Sequence, residues 1–166
     1  DNNMAAFTWG LPTDKPVVAD FDGDRITDVT VTRSTPDGLV WYILKSNGGM
    51  FDQYAGLQFG LNSDRIAVED YDGDGKTDIA VFRPSTAVWY ILRSNTNDVQ
   101  VMQFGQPGDI PQPADYDSDG SADIGIFRPS NGNWQILMSG NGTQKSIYWG
   151  TSGDVPLSSL NSILQQ

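Results

Sequence analysis

Short apolar stretches of four to eight residues alternate along the chain with segments rich in Gly, Pro, Asn and Asp. The stretches contain mainly Val, Ile, Phe, Tyr and Trp, which is typical of β-strands rather than helices. In the middle of the chain such candidates lie at about 66–70, 78–83, 88–93 and 99–104. The links between them, such as residues 84–86 and 94–97, have the composition of hairpin turns. The pattern therefore predicts an all-β protein.

The apolar pattern repeats three times. Each repeat opens with an Asp-rich stretch, at Asp20–Asp28, Asp70–Asp78 and Asp115–Asp123. An apolar run ending in Arg follows, then a run that contains Trp, then an aromatic-Gly pair. Four short strands per 45–50 residues are typical of a β-propeller blade.

We therefore predict a single repeat domain over residues 1–166, built as a β-propeller-like array of three four-stranded blades. The repeats span about 20–60, 70–105 and 115–150, with partial repeats at 7–19 and 151–166. Within the second partial repeat, residues 157–164 are the one candidate for a short helix.

The Asp-rich stretches have the spacing of metal-binding loops. Their aspartates stand at positions 1, 3, 5 and 9, and alternate spacing turns three carboxylates toward one point. The backbone carbonyl of position 7 supplies a further oxygen, and six or seven oxygen ligands suit Ca²⁺ better than Mg²⁺. The alternative is a set of Asx turns without an ion. The predicted ligands of three Ca²⁺ sites are Asp20, Asp22, Asp24, Ile26, Asp28, Asp70, Asp72, Asp74, Lys76, Asp78, Asp115, Asp117, Asp119, Ser121 and Asp123.

With their aromatic-Gly pairs, these loops resemble the FG-GAP (VCBS-like) repeat of integrin α-subunits and secreted bacterial proteins. The phrase Phe-Gly-x-x-Gly-Asp-x-Pro at residues 104–111 adds to the resemblance, which covers residues 7–156. The resemblance implies calcium at loop positions 1, 3, 5, 7 and 9 on propeller blades. It also implies an extracellular or cell-surface protein that serves adhesion or ligand recognition.

Composition removes most other functions. The chain has no Cys and no His, which excludes disulfides, thiolate or imidazole metal sites and Ser-His-Asp catalysis. Its net charge of −11 repels phosphate backbones, so we expect no nucleic-acid partner. No apolar run is long enough to span a membrane.

Three further sets of residues recur once per repeat. We expect the tryptophans Trp41, Trp89 and Trp134 to lie in the core between blades rather than on the surface. The arginines Arg33, Arg83 and Arg128 either neutralise loop carboxylates or cap an exposed edge. The aspartates Asp14, Asp64, Asp109 and Asp154 fit a turn-forming role better than a metal-binding one.

The leading hypothesis is a non-catalytic calcium-binding repeat domain for recognition, adhesion or display, with a protein or carbohydrate as ligand. The alternatives are a lectin-like propeller and an accessory or catalytic domain of a polysaccharide-active enzyme. The repeats differ by conservative replacements and turn insertions, which argues against catalysis. Since three blades leave edges open, we expect a larger propeller or association with a second copy. A compact three-blade monomer is the alternative.

Overall fold

The computed structural model describes residues 9–46 and 53–156, without the side chains of residues 53–55. Twelve strands form three four-stranded antiparallel sheets, and no helix occurs among the described residues. Sheet 1 contains β1 (Lys15–Ala19), β2 (Asp28–Thr35), β3 (Gly38–Leu44) and β4 (Gln53–Gln58). Sheet 2 contains β5 (Arg65–Ile66), β6 (Ile79–Arg83), β7 (Val88–Leu92) and β8 (Val99–Gln103). Sheet 3 contains β9 (Ile110–Pro111), β10 (Ile124–Arg128), β11 (Asn133–Leu137) and β12 (Gln144–Tyr148).

The prediction of an all-β fold with three blade-like sheets is confirmed. Each sheet is a meander in chain order, and its first two strands flank an Asp-rich loop. Each sheet therefore starts one strand before the loop that opens the sequence repeat. The candidate helix at residues 157–164 lies outside the described residues.

The hairpin turns lie at the predicted links. The Ala87 N–H donates to the Arg83 carbonyl (2.9 Å), and the Gly132 N–H donates to the Arg128 carbonyl in the same way (3.0 Å). Ala87 adopts a left-handed backbone with φ of 54°, a conformation in which glycine is less strained.

The hydrophobic core lies between the sheets. One cluster joins Trp41 and Ile43 of sheet 1 to Val81 of sheet 2. A second cluster joins Trp89 of sheet 2 to Ile126 of sheet 3. Side chains alternate along a strand, so the two clusters cover both faces of β6 and β7, which explains the continuous apolar runs of these two strands.

The tryptophans only partly follow the prediction. Trp41 and Trp89 are fully buried, and their Nε1–H groups donate to the carbonyls of Phe59 and Phe104. Trp134 is only half-buried, although its Nε1–H makes the equivalent bond to the Trp149 carbonyl. It occupies the same register in sheet 3, on the face that has no further sheet against it among the described residues.

Candidate metal centres

Each Asp-rich loop brings three carboxylates together. In every loop these are positions 1, 3 and 9, and one oxygen from each lies within 4.8 Å of the others. The three groups are Asp20, Asp22 and Asp28; Asp70, Asp72 and Asp78; and Asp115, Asp117 and Asp123. Positions 1 and 3 lie in the loop itself, whereas position 9 lies at or next to the start of the second strand of the sheet.

Position 9 is the buried anchor of each cluster. Asp28, Asp78 and Asp123 are at most 2% exposed. The Asp78 carboxylate accepts the Tyr71 N–H at Oδ2 (2.9 Å) and the Ser94 N–H at Oδ1 (2.7 Å). Asp28 and Asp123 make the same two bonds with the residues at equivalent positions. The carboxylate therefore joins the start of the loop to the segment that follows the third strand.

Position 1 organises the backbone of the loop. The Asp70 carboxylate accepts N–H bonds from Gly73 (2.7 Å) and Gly75 (2.8 Å), and the other loops repeat this pattern. These bonds are Asx-type turns, so the loop shape is preformed without an ion. The Asx-turn alternative and the metal prediction therefore describe the same loop rather than excluding each other.

Position 3 has the freest carboxylates. Asp22 Oδ2 is buried and has no hydrogen-bond partner, while Oδ1 accepts only a long bond from the Asp24 N–H (3.2 Å). Burial without a partner, together with the charges of Asp28, Asp24 and Asp20, raises the pKa of Asp22. An orphaned buried carboxylate oxygen is unfavourable unless a cation or proton satisfies it. Loop 1 therefore fits a metal ion by its own geometry.

Position 5 does not join the three-carboxylate group. Asp74 Oδ2 accepts the Ser94 hydroxyl (2.9 Å), and Asp74 Oδ1 accepts the Lys76 N–H (2.8 Å). Asp24 and Asp119 are held in the same way by Ser46 and Ser139. The position 5 carboxylates and the position 7 carbonyls of Ile26, Lys76 and Ser121 remain predicted ligands.

Three serines that the sequence analysis did not single out also hold the loop carboxylates. Each follows the Trp-containing strand in the repeated phrase Ile-Leu-x-Ser, at 43–46, 91–94 and 136–139. Each binds position 9 through its N–H and position 5 through its hydroxyl. The recurrence of this phrase in all three repeats is the sequence signal that could have predicted a role for these serines.

Electrostatics in the second loop favour a bound cation. Burial raises the pKa of Asp78 to about 6, and the neighbouring charge of Asp72 contributes, although N–H bonds from Ser94 and Tyr71 oppose the shift. A cation at this cluster would reverse the shift, because it stabilises the ionised carboxylates.

The recurring arginines and isolated aspartates form a separate structural feature. Each aspartate turns its own loop: Asp64 Oδ2 accepts the Leu61 N–H (2.9 Å), and Asp154 Oδ2 accepts the Thr151 N–H (2.8 Å). The predicted turn-forming role is thus confirmed. The arginines instead pair with these aspartates, as Arg33–Asp14, Arg83–Asp64 and Arg128–Asp109. Neither of the two predicted arginine roles is the one observed.

The FG-GAP-like repeat profile matches residues 20–81 and 70–126, which together cover more than half of the chain. The chain belongs to the FG-GAP-like repeat family. No curated protein and no solved structure shows a significant match to it. Within the part of the chain that the structure describes, no helix is long and apolar enough to span a membrane.

Proposed function

We propose that this chain is a non-catalytic, calcium-stabilised repeat domain of an extracellular protein and that it serves recognition or adhesion. The observation that carries the proposal is the threefold cluster of carboxylates, each with a buried aspartate at position 9. Twelve of the 21 acidic residues stand in these loops.

Calcium is the ion that fits the donor set best. The clusters offer only oxygen ligands, and their loops allow the irregular coordination that Ca²⁺ accepts and Mg²⁺ does not. Three divalent ions would change the formal net charge from −11 to −5. When bound, the ions would neutralise the clusters; the chain's own residues hold the loops in shape.

The near-identity of the three loops supports a non-catalytic role. A catalytic repeat protein normally has one repeat with groups that the others lack, whereas each loop here repeats the same hydrogen bonds at positions 1, 5 and 9. The family is also generally non-catalytic, and its repeats are typically extracellular. Millimolar extracellular calcium suits modules with weak sites.

Carbohydrate recognition is less well supported than protein recognition. Trp41 and Trp89 are fully buried and cannot stack on a sugar. Among the residues whose burial the structure describes, the exposed aromatic ones are Tyr148 and Trp149, at 74% and 79%. Trp149 is the counterpart of Phe59 and Phe104, which lie at the two inner boundaries, between sheets 1 and 2 and between sheets 2 and 3. Its exposure therefore marks a boundary with no sheet packed against it rather than a platform for a sugar.

We infer that this open face of sheet 3 receives a further unit of the same kind, as in a larger propeller. Trp134, Ile147 and Trp149 stand at the positions that are covered at the inner boundaries. Asp154 caps its loop as Asp64 and Asp109 do, yet it has no arginine partner among the described residues. A second copy of this chain fits this face less well. Its sheet 1 would have to supply Arg33 as the partner of Asp154, but Arg33 is already paired with Asp14.

Isothermal titration of the chelator-treated chain with CaCl₂ and then with MgCl₂ tests the proposal. We expect three calcium ions per chain and much weaker binding of magnesium. Asp22→Asn, Asp72→Asn and Asp117→Asn should each weaken the site in the loop that holds the replaced aspartate. Equal heats for the two ions, or no calcium binding, would contradict the proposal.

A further inference from the structure

The three loops lie against one another in a row. The Thr77 N–H of loop 2 donates to the Asp20 carbonyl of loop 1 (2.7 Å). The Ala122 N–H of loop 3 donates in the same way to the Asp70 carbonyl of loop 2 (2.7 Å). In each case position 8 of one loop is bonded to position 1 of the loop before it.

These bonds connect candidate metal ligands of neighbouring loops. Asp20 supplies a carboxylate to the first cluster, and Thr77 directly precedes Asp78, the buried carboxylate of the second. One hydrogen bond and one peptide unit therefore separate a ligand residue of loop 1 from a ligand residue of loop 2. Ala122 and Asp123 repeat the relationship between loops 2 and 3.

Side-chain packing strengthens the connection. A Cβ atom on Gly23 would lie 2.9 Å from Cγ of Lys76 and 3.2 Å from the Gly75 carbonyl oxygen. A Cβ on Gly73 would lie 2.8 Å from Oγ of Ser121. Position 4 of loops 1 and 2 is thus glycine where the next loop makes close contact.

Loop 3 shows that this glycine is required by the neighbour and not by the loop alone. Its position 4 is Ser118, which adopts a φ of 63°. That value resembles the φ of 73° at Gly73 and of 81° at Gly23. No loop follows loop 3 in the row among the described residues, so a side chain is accommodated there.

We propose that the three loops bind calcium as a coupled row, in which occupancy of one loop increases the affinity of its neighbours. The proposal rests on the proposed function, since it concerns the same sites. The Asx-type bonds already shape loop 1, and an ion there would restrict its remaining motion, including that of the Asp20 carbonyl that binds Thr77. Loop 2 would then lose less conformational freedom when it binds its own ion. Repulsion between bound ions opposes this coupling, but salt screens it.

The first experiment compares the full-length chain with Asp22→Asn, which removes one ligand from loop 1. Calcium titrations at ~0.1 M and ~0.5 M KCl give the affinities of the remaining sites. We expect loop 2 to lose at least about fivefold in affinity, in the usual range for coupled sites. Hydrogen exchange at the Thr77 amide should also become faster in calcium.

Salt separates this coupling from a simple charge effect. Asp22→Asn also removes a negative charge, but that contribution shrinks as ionic strength rises. A loss at loop 2 that persists at ~0.5 M KCl supports coupling. A loss that disappears in salt, or wild-type affinity at both remaining loops, overturns it.

The second experiment uses Gly23→Ser, which keeps every carboxylate of loop 1 and disturbs only its contact with loop 2. Ser118 shows that a loop of this shape accommodates serine at this position. In the Gly23→Ser background, Asp22→Asn should no longer weaken loop 2. Ser118→Gly is the matched control, in which Asp22→Asn should weaken loop 2 as in the wild type.

Failure of this inference and failure of the proposed function give different results. Three ions that bind independently, with the same loop 2 affinity in all variants, overturn the coupling alone. A wild-type chain that binds no calcium contradicts the proposed function as well.

Discussion

Asp64 and Arg83 form a two-point ion pair at the boundary between the first and second sheets, with Nε–Oδ1 and Nη2–Oδ2 distances of 3.0 Å. The Asp64 side chain is fully buried, and Arg83 is further held by the Tyr90 hydroxyl (2.8 Å) and lies over its ring. The pair fixes the linker that follows sheet 1 onto the second strand of sheet 2. Asp14–Arg33 and Asp109–Arg128 repeat it, so the pair is part of how successive sheets are joined.

Replacing Asp64 should be more damaging than replacing Asp154. Asp64→Ala removes the turn bond to Leu61 and leaves Arg83 without its partner, so we expect a loss of about 3 kcal/mol. Asp154→Ala removes only the turn bond to Thr151, so we expect about 1 kcal/mol or less. Urea unfolding of both variants checks this, and equal losses would show that the ion pair contributes nothing beyond the turn.

The position of a tryptophan in the row of sheets should decide how much it contributes to the free energy of unfolding. Trp89→Ala leaves a cavity between sheets 2 and 3 and should cost about 3–5 kcal/mol. Trp134→Ala should cost clearly less, because Trp134 is half-buried on the outer face of sheet 3. Chemical unfolding in calcium measures both. If Trp134→Ala costs as much as Trp89→Ala, the outer face of sheet 3 is covered as completely as the boundary between sheets 2 and 3.

The effect of Asp72→Ala should depend on calcium. In calcium the variant loses a ligand and should be less stable than the wild type. In chelator the same change relieves repulsion on Asp78 and should cost little or stabilise the chain. Melting temperatures of both proteins in both conditions test this, and equal losses would indicate that Asp72 acts only in a turn.

Asp78 should make the calcium-free chain more stable at mildly acidic pH. Its pKa is about 6 in the folded chain, above the usual value of 3.8, so the folded chain holds this proton more tightly than the unfolded chain. Stability from this group is therefore fully present below about pH 4 and is lost as the pH rises through about 6.

The measurement is the urea midpoint in chelator between about pH 7 and about pH 5. The wild type should gain stability over this range, and Asp78→Asn should gain less. The same pH dependence in both proteins would show that another group is responsible.

The sequence predicts local features well because they depend on short spacings. The loops, strands and hairpin turns all lie within a few residues of the signals that predict them. The pairing of Asp64 with Arg83 was not predicted, since the two residues are 19 positions apart and meet only when the sheet forms.

The contact of Asp74 with Ser94 has the same origin, because the serine arrives from the far end of the third strand. Trp134 differs from Trp41 and Trp89 for another reason. The repeat pattern is the same for all three, but burial depends on whether another sheet follows.

The central claim is that calcium is part of the folded state. Thermal unfolding followed by circular dichroism, in ~1 mM CaCl₂ and then in excess chelator, tests it most directly. A ligand that binds only the folded chain stabilises it by about 2.7 kcal/mol per site at a hundredfold excess over its Kd. We predict a melting temperature that is higher in calcium, by an amount that increases with calcium concentration. A melting temperature that is the same in calcium and in chelator would contradict the account.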